Sequence, residues 1–380
     1  MNDERFLRHS LIDWLDQDEL ARMSVIIVGA GAVGNEVIKD LALLGVGHFH
    51  IIDFDLVEIH NLTRNVLFNE AQIGRHKAEI AALTGEHLGP GSKFTWSPAD
   101  FWDCLSLKEI RAADAVFCCV DNFAARLRLN KLCLIAETDL YNAAIDSRSV
   151  AVEAYPFSTD PESSCYECQL PASVYARLNE RYSCGWLKKR GFEEKKVPTT
   201  ILTASLAGST VCSAFLHRHR RDAIQEGARA MAGAFRLFFD TISFHSSIVS
   251  LDRNPECPAC SAVLPSRHVF RTSNKVGSLT PEGYSPLPDL RLKFSDQLVL
   301  ETNCLVCGVR EEIFDRADRF DDSLALCPAC GARSRDIVFA DEMDITSLEE
   351  NYRGKKLPVK YVFFEDANQQ FYIELEDNHD

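Results

Sequence analysis

The chain lacks a surplus of positive charge: 41 Lys and Arg stand against 56 Asp and Glu, giving a formal net charge of −15 and a pI near 5.2. That balance excludes a protein that holds nucleic acid through a broad basic surface. It also lacks any apolar run long enough to span a bilayer, and the opening Met1-Asn2-Asp3-Glu4-Arg5 has no signal-peptide pattern. A cytoplasmic protein with no membrane or nucleic-acid partner is therefore expected. No internal repeat is visible. What is present suffices for a large core, since 46% of the 380 residues are hydrophobic and 26% charged, and the length leaves room for more than one domain.

The richest stretch begins with an apolar strand, Val25-Ile26-Ile27-Val28, which runs into Gly29-Ala30-Gly31-Ala32-Val33-Gly34 and then into a helical run. A strand, GxGxxG and a helix place backbone N–H groups and a helix N-terminus around a phosphate, so Gly29, Gly31, Ala32 and Gly34 form a candidate phosphate loop. The next strand, His50-Ile51-Ile52, ends at Asp53, an acid suited to a ribose hydroxyl. A nicotinamide enzyme would share these features. Asn61, Arg64 and Lys77 follow, and hydride transfer has no need of such phosphate-directed donors. Arg presents a planar fork and Lys a point charge, both matched to a triphosphate, so ATP is favoured over a dinucleotide. Farther on, Asp114 to Val120 reads as a buried parallel strand ending at Asp121-Asn122. Open α/β sheets bind ligands at the carboxyl ends of their strands, which makes Asp121 a candidate ligand rather than a strand-ending polar residue.

Fourteen cysteines in a reducing compartment point to metal or catalysis rather than disulfides. Eight form four CxxC pairs: Cys165/Cys168, Cys257/Cys260, Cys304/Cys307 and Cys327/Cys330. The last two pairs have the close spacing of a zinc ribbon, two knuckles with a short hairpin between. The first two lie far apart, as a site tying two segments of one domain requires. Four thiolates per metal would close each site and make it structural. Cys104, Cys118, Cys119, Cys133 and Cys212 sit among apolar residues and read as core. Cys184 differs. It precedes Gly185, which leaves access, and Lys188, Lys189 and Arg190, whose charge favours the thiolate; its bland reading is an exposed, inert loop cysteine.

As a set, GAGAVG at 29–34, Asp53-Phe54-Asp55, Asn61-Leu62-Thr63-Arg64-Asn65, Lys77 and Asp121-Asn122 resemble the ubiquitin-activating enzyme superfamily, which includes the ThiF- and MoeB-like adenylyltransferases of sulfur-carrier proteins. The resemblance runs from about Arg5 to Cys260. It implies ATP-dependent adenylation of the C-terminal carboxylate of a small ubiquitin-like protein. It also implies roles: Asp53 on the ribose, Asn61, Arg64 and Lys77 on the phosphates, and Asp121, beside Asn122, on Mg2+. Arg8 would reach into the nucleotide site of a partner protomer, which implies a homodimer. Cys165, Cys168, Cys257 and Cys260 would share one structural zinc, the ribbon cysteines a second. Cys184 lines up with the cysteine that takes the acyl group as a thioester before a conjugating enzyme accepts it. A sulfur-carrier adenylyltransferase without the thioester is the alternative, and a non-catalytic, nucleotide-sensing zinc scaffold a second.

Residues 24–146 alternate strands with helical stretches, which predicts an α/β fold with a Rossmann-like, doubly wound, mainly parallel sheet. Residues 1–23 read as a helical arm. The adenylation domain covers 24–274, with a crossover loop at 169–200 and a helix over Thr199–His219. Residues 275–288, with two glycines and three prolines, read as a linker. Residues 289–380 read as a zinc-ribbon module ending in an acidic tail from Glu374. All four of that module's cysteines are committed to metal, so it reads as a docking platform.

Overall fold

The alternation read from residues 24–146 is realised as five parallel strands, β1 (Ser24–Val28), β2 (His48–Ile52), β3 (Lys93–Ser97), β4 (Ala115–Cys118) and β5 (Leu140–Ile145). Three antiparallel strands extend them: β6 (Ser149–Tyr155), β7 (Phe235–Asp240) and β8 (Ser246–Ser250). The strand order is β3-β2-β1-β4-β5-β6-β7-β8. This computed structural model describes residues 4–171, 198–219, 233–263, 269–277, 279, 291–320, 322–365 and 370–376. They form two compact units, the first from residues up to Leu170 and from Pro198 to Ser261, the second from Ala262 onward.

In the first unit β4 is buried along its whole length and β1 along all but its first residue, as parallel strands covered on both faces must be. The helices are α1 (Gln17–Leu20), α2 (Ala32–Leu44), α3 (Lys77–Leu88), α4 (Phe101–Cys104), α5 (Leu107–Ala112), α6 (Phe123–Ala136) and α7 (Ile201–Arg218). Local chemistry sets their ends. Gly45 closes α2 in the left-handed conformation, Ser106 and Glu109 form a capping box on α5, Asn122 caps α6, and Thr200 and Thr203 form the box of α7. α7 crosses α2 at close range, because an ideal Cβ on Gly208 would lie 2.3 Å from the Cβ of Glu36. Glu36 is buried there and accepts a hydrogen bond from Ser205 Oγ at 2.8 Å. The arm read as helical is mostly turns, with one 3-10 turn at His9–Leu11 and the single helical turn α1. Leu7 and Leu11 remain exposed, and only the arm's end, Leu20 and Met23, joins the core, so residues 4–14 have no buried apolar stripe to hold a longer helix.

The second unit is a six-stranded sheet built on the long β10 (Arg291–Cys304), which pairs with β11 (Arg310–Arg316), β12 (Arg335–Asp344) and β13 (Tyr361–Glu365). β14 (Gln370–Glu376) continues it antiparallel to β13, and β9 (Val269–Ser273) closes it parallel to β14. A short helix, α8 (Pro258–Val263), whose residues up to Ser261 belong to the first unit, precedes β9 in the chain, and α9 (Ile345–Tyr352) packs Ile345, Leu348 and Tyr352 into the core of the second. Three expectations change here. Val269–Ser273, assigned from sequence to the adenylation domain, is a strand of the second sheet. Val276 and Leu279, in the stretch read as a linker, are buried in the second core; glycine and proline interrupt regular structure without preventing packing. Glu374 to Glu376, read as the start of an acidic tail, complete β14. Glu374 is buried, with Arg271 of β9 neutralising it at 3.1 Å. Among the described residues no helix is long and apolar enough to cross a membrane.

The start of α2 generates a stability test. An ideal Cβ on Gly34 would lie 1.9 Å from the carbonyl oxygen of Gly29, whereas one on Gly31 would meet nothing within 4 Å. In urea unfolding, Gly34→Ala should lose about 1–3 kcal/mol, and Gly31→Ala should stay within about 0.5 kcal/mol of the parent. Equal losses for the two would refute the packing.

Candidate functional site

The strand order reverses between β1 and β4, and a doubly wound sheet opens its crevice at such a point. Register aligns Val28 with Ile52 on one side and with Cys118 on the other. Gly29, Asp53 and Cys119 are therefore the next residues of three adjacent strands. Gly29 takes φ +96°, and an ideal Cβ there would lie 2.7 Å from the carbonyl oxygen of Cys119. A side chain fits neither at Gly29 nor at Gly34, so the turn lies flat against the β4 loop. Gly31, at the start of α2, faces open space and the helix has no side-chain cap. This is the cradle a phosphate needs: uncapped N–H groups at a helix N-terminus with room for a close approach.

Asp53 is tied to the cradle. Its Oδ2 accepts from the amide of Ala30 at 2.7 Å and its Oδ1 from the amide of Asp55 at 2.8 Å. Burial pushes its carboxyl above the usual range, against the pull of the Lys77 charge and those two amides. Each oxygen keeps a lone pair for a ribose hydroxyl. Lys77 opens α3 largely buried, and its Nζ donates to Asp55 Oδ2 at 2.7 Å. Asn61 is buried and its Oδ1 accepts from the Glu58 amide at 2.9 Å, which orients its Nδ2 as the donor for a phosphate. Arg64 is half-buried and its Nη1 donates to the His60 carbonyl at 2.7 Å, which fixes the base of its fork. Asp121 is exposed, one residue before the Asn122 cap of α6. Among the described residues no bond joins Arg8, on the exposed arm, to the glycine loop. Cys184 and the basic residues after it lie outside the described residues.

Both cysteine quartets assemble. In the first unit Cys165, Cys168, Cys257 and Cys260 are all buried, with Sγ atoms 3.4–3.8 Å apart along the closest pairs. In the second unit Cys304 and Cys330 approach to 3.6 Å, as do Cys307 and Cys327. A tetrahedron with metal–sulfur bonds of about 2.3 Å has edges of about 3.8 Å, so both fit a zinc-sized ion. The second quartet repeats one turn twice: the amide of Gly308 bonds the Cys304 carbonyl and that of Gly331 the Cys327 carbonyl, both glycines at positive φ. Cys118, Cys133 and Cys212 are buried as core residues, and Cys104 and Cys119 are half-buried.

Three residues at this edge escaped the sequence reading. Asn35, inside α2, donates to the Ala30 carbonyl at 2.7 Å and accepts from the Leu67 amide at 2.9 Å, joining the glycine loop to the segment bearing Arg64. Asn65 is only 4% exposed, and neither its Oδ1 nor its Nδ2 has a partner among the described residues. Arg126, on α6, is buried against the loop that carries Asp121. The available signal was a polar residue inside an otherwise apolar helical stripe, Arg126 and Asn130 among Leu129 and Cys133.

Comparison with known proteins agrees with this geometry. The chain is 29% identical over 264 residues to the SAMP-activating enzyme E1 of Haloferax volcanii, covering 68% of this chain and 88% of that one. It is 26% identical over 251 residues to the sulfur carrier protein adenylyltransferase of Thermus thermophilus, covering 64% and 84%. Ubiquitin-like modifier-activating enzyme 5 of Bombyx mori matches at 28% over 195 residues, 48% of each chain. Among solved structures, E. coli MccB with succinimide superposes with a TM-score of 0.53 at 20% identity over 68% of this chain and 74% of that one, a likeness of fold. The ThiF family matches residues 4–259, which takes in the glycine loop, Asp53, Lys77, Asp121 and three cysteines of the first quartet, Cys165, Cys168 and Cys257, and the chain belongs to that family.

Proposed function

We propose that the chain uses ATP to adenylate the C-terminal carboxylate of a ubiquitin-like protein. The observation that carries this reading is the row of three strand ends, Gly29, Asp53 and Cys119, which puts an open phosphate cradle beside a ribose acceptor and the Asp121 loop. The amides at the start of α2 take the phosphates and Asp53 the ribose. Lys77 exchanges Asp55 for phosphate, and Arg64 turns its fork to the same anion. The carrier carboxylate, ionised at neutral pH, needs no general base. One of its oxygens bonds to the α-phosphorus as the bond to the pyrophosphate oxygen breaks, and pyrophosphate departs with that electron pair. Asp121 offers the hard oxygen that Mg2+ prefers, and a bound Mg2+ would neutralise charge on the triphosphate. Arg8 from a second copy completes the site in a homodimer.

The acyl group then moves from AMP to Cys184 as a thioester and on to a conjugating enzyme. A second reading stops at the adenylate and serves a sulfur carrier. It is supported by the Thermus thermophilus relative, covered to 84% of its chain, while the SAMP-activating enzyme E1 is covered to 88%, so coverage supports both readings alike. Each cysteine quartet holds one structural zinc.

Carrier-dependent ATP–pyrophosphate exchange tests the first step. Arg64→Ala should slow it about a hundredfold, the scale of one lost transition-state donor. ATP binding without exchange by any carrier supplied would leave the scaffold reading instead. Intact mass spectrometry separates the two activators: a carrier adduct that dithiothreitol removes and Cys184→Ala abolishes supports the thioester. Carrier–AMP alone in both proteins would assign the sulfur-carrier role. Metal analysis should find two zinc ions per chain. Cys257→Ser should retain one and lower Tm by several degrees, given a loss of about 2 kcal/mol or more. A full complement of zinc in that variant would remove the first site.

A further inference from the structure

Asp121 is exposed, and the short loop from Cys119 to Asn122 has no regular structure to fix it. One buried side chain reaches that loop from beneath. Arg126, one turn into α6, donates through Nη2 to the carbonyl of Val120, the peptide immediately before Asp121. The same Nη2 donates to the carbonyl of Ala143 at 2.9 Å, and Nη1 donates to Asn142 Oδ1. A planar guanidinium thus spans the β4 loop and the middle of β5, which a point charge on a flexible stem could not do.

The anchor continues across the sheet. Cys118, Asn142, Glu153 and Arg236 are register partners in sequence along β4, β5, β6 and β7. Asn142 Nδ2 donates to Glu153 Oε2 at 2.6 Å, and Arg236 Nε donates to Glu153 Oε1 at 2.6 Å. Asn142 and Glu153 are buried, so their oxygens hold this arrangement without competition from water. The amide of Asn142 is a neutral spacer that accepts from one side and donates to the other, passing the Glu153 charge toward the buried guanidinium. Four residues along the same helical face, Asn130 Oδ1 accepts from the amide of Tyr166 at 3.0 Å, which fastens α6 to the turn between Cys165 and Cys168.

We infer that Arg126, seated by Asn142 and Glu153, is a positioning residue that sets the Val120–Asp121 peptide so that the Asp121 carboxylate meets the metal on bound nucleotide. The inference rests on the proposed role of Asp121 but not on any carrier. Supports of metal ligands typically carry about ten- to a hundredfold in metal affinity, because a carboxylate free to rotate must be ordered anew for each ion.

The test uses the full chain, ATP and Mn2+, without carrier, so a failure of carrier-dependent exchange leaves it intact. Calorimetry gives the ATP Kd with and without Mn2+, and electron paramagnetic resonance reports the bound ion. In the parent Mn2+ should tighten ATP binding. Arg126→Lys should reduce that enhancement about tenfold and leave metal-free ATP affinity within about twofold. Asp121→Asn should remove the enhancement by itself, and adding Arg126→Lys to it should change little, as two parts of one device behave. Glu153→Gln, which keeps shape and loses charge, should give the same pattern at about threefold, and it carries the test if Arg126→Lys folds poorly. The inference is overturned if Arg126→Lys weakens metal-free ATP as much as Mn–ATP, if its effect persists in the Asp121→Asn background, or if Mn2+ gives no enhancement in the parent.

Discussion

Much of the first unit depends on one contact, the meeting of Gly29, Gly34 and the Cys119 carbonyl with no side chain among them. Ideal Cβ atoms would lie 2.7 Å from the Cys119 oxygen on one side and 1.9 Å from the Gly29 oxygen on the other. The turn after β1 is therefore compressed onto the β4 loop, and α2 starts directly above it with its N–H groups pointing outward. Gly31 is different in kind, since its open side is where a ligand approaches. One short motif thus serves two purposes, backbone packing at its ends and ligand access at its centre.

The contact also explains how a chain of net charge −15 can host a polyanion. Charges more than about 10 Å away are screened at ordinary ionic strength, so the acidic surface acts weakly on a ligand in the crevice. Uncapped amides attract phosphate without bringing a cation into the sheet. The local cations already have neighbours: Lys77 bonds to Asp55 and Arg64 to the His60 carbonyl. Under the proposed function a triphosphate entering the crevice would exchange partners with them instead of desolvating new charge.

Features carried by local spacing were legible in sequence. The β1–α2 turn, Asp53, the helix over Thr199–His219 and the four CxxC pairs all declare themselves within a few residues. The parallel pairing of β9 with β14 joins Val269 to Tyr372, and such a pair leaves no turn signature at either strand. That is why a strand of the second sheet was assigned to the first domain and why Val276 and Leu279 passed for linker. Burial of polar side chains was equally hidden: Asn35, Asn65 and Arg126 look like ordinary helix and loop residues until the sheet supplies their partners. The assignment of ATP over a dinucleotide came from Arg64 and Lys77, whose spacing has meaning only beside Asp53.

The first cysteine quartet ties together residues 92 apart in sequence, Cys165 and Cys257. Closing so long a loop costs conformational entropy that grows only slowly with its length, whereas a structural zinc contributes about 10–16 kcal/mol of binding free energy at neutral pH. Such a tie can hold ends that packing alone would leave loose. Its first knuckle, through Asn130, also holds the helix that presents Asp121. The first quartet and the helix that follows Asp121 are thus connected through one buried polar contact. Under the proposed function, a disturbance at the quartet should reach the nucleotide site through α6, without any change in the residues proposed to touch ATP.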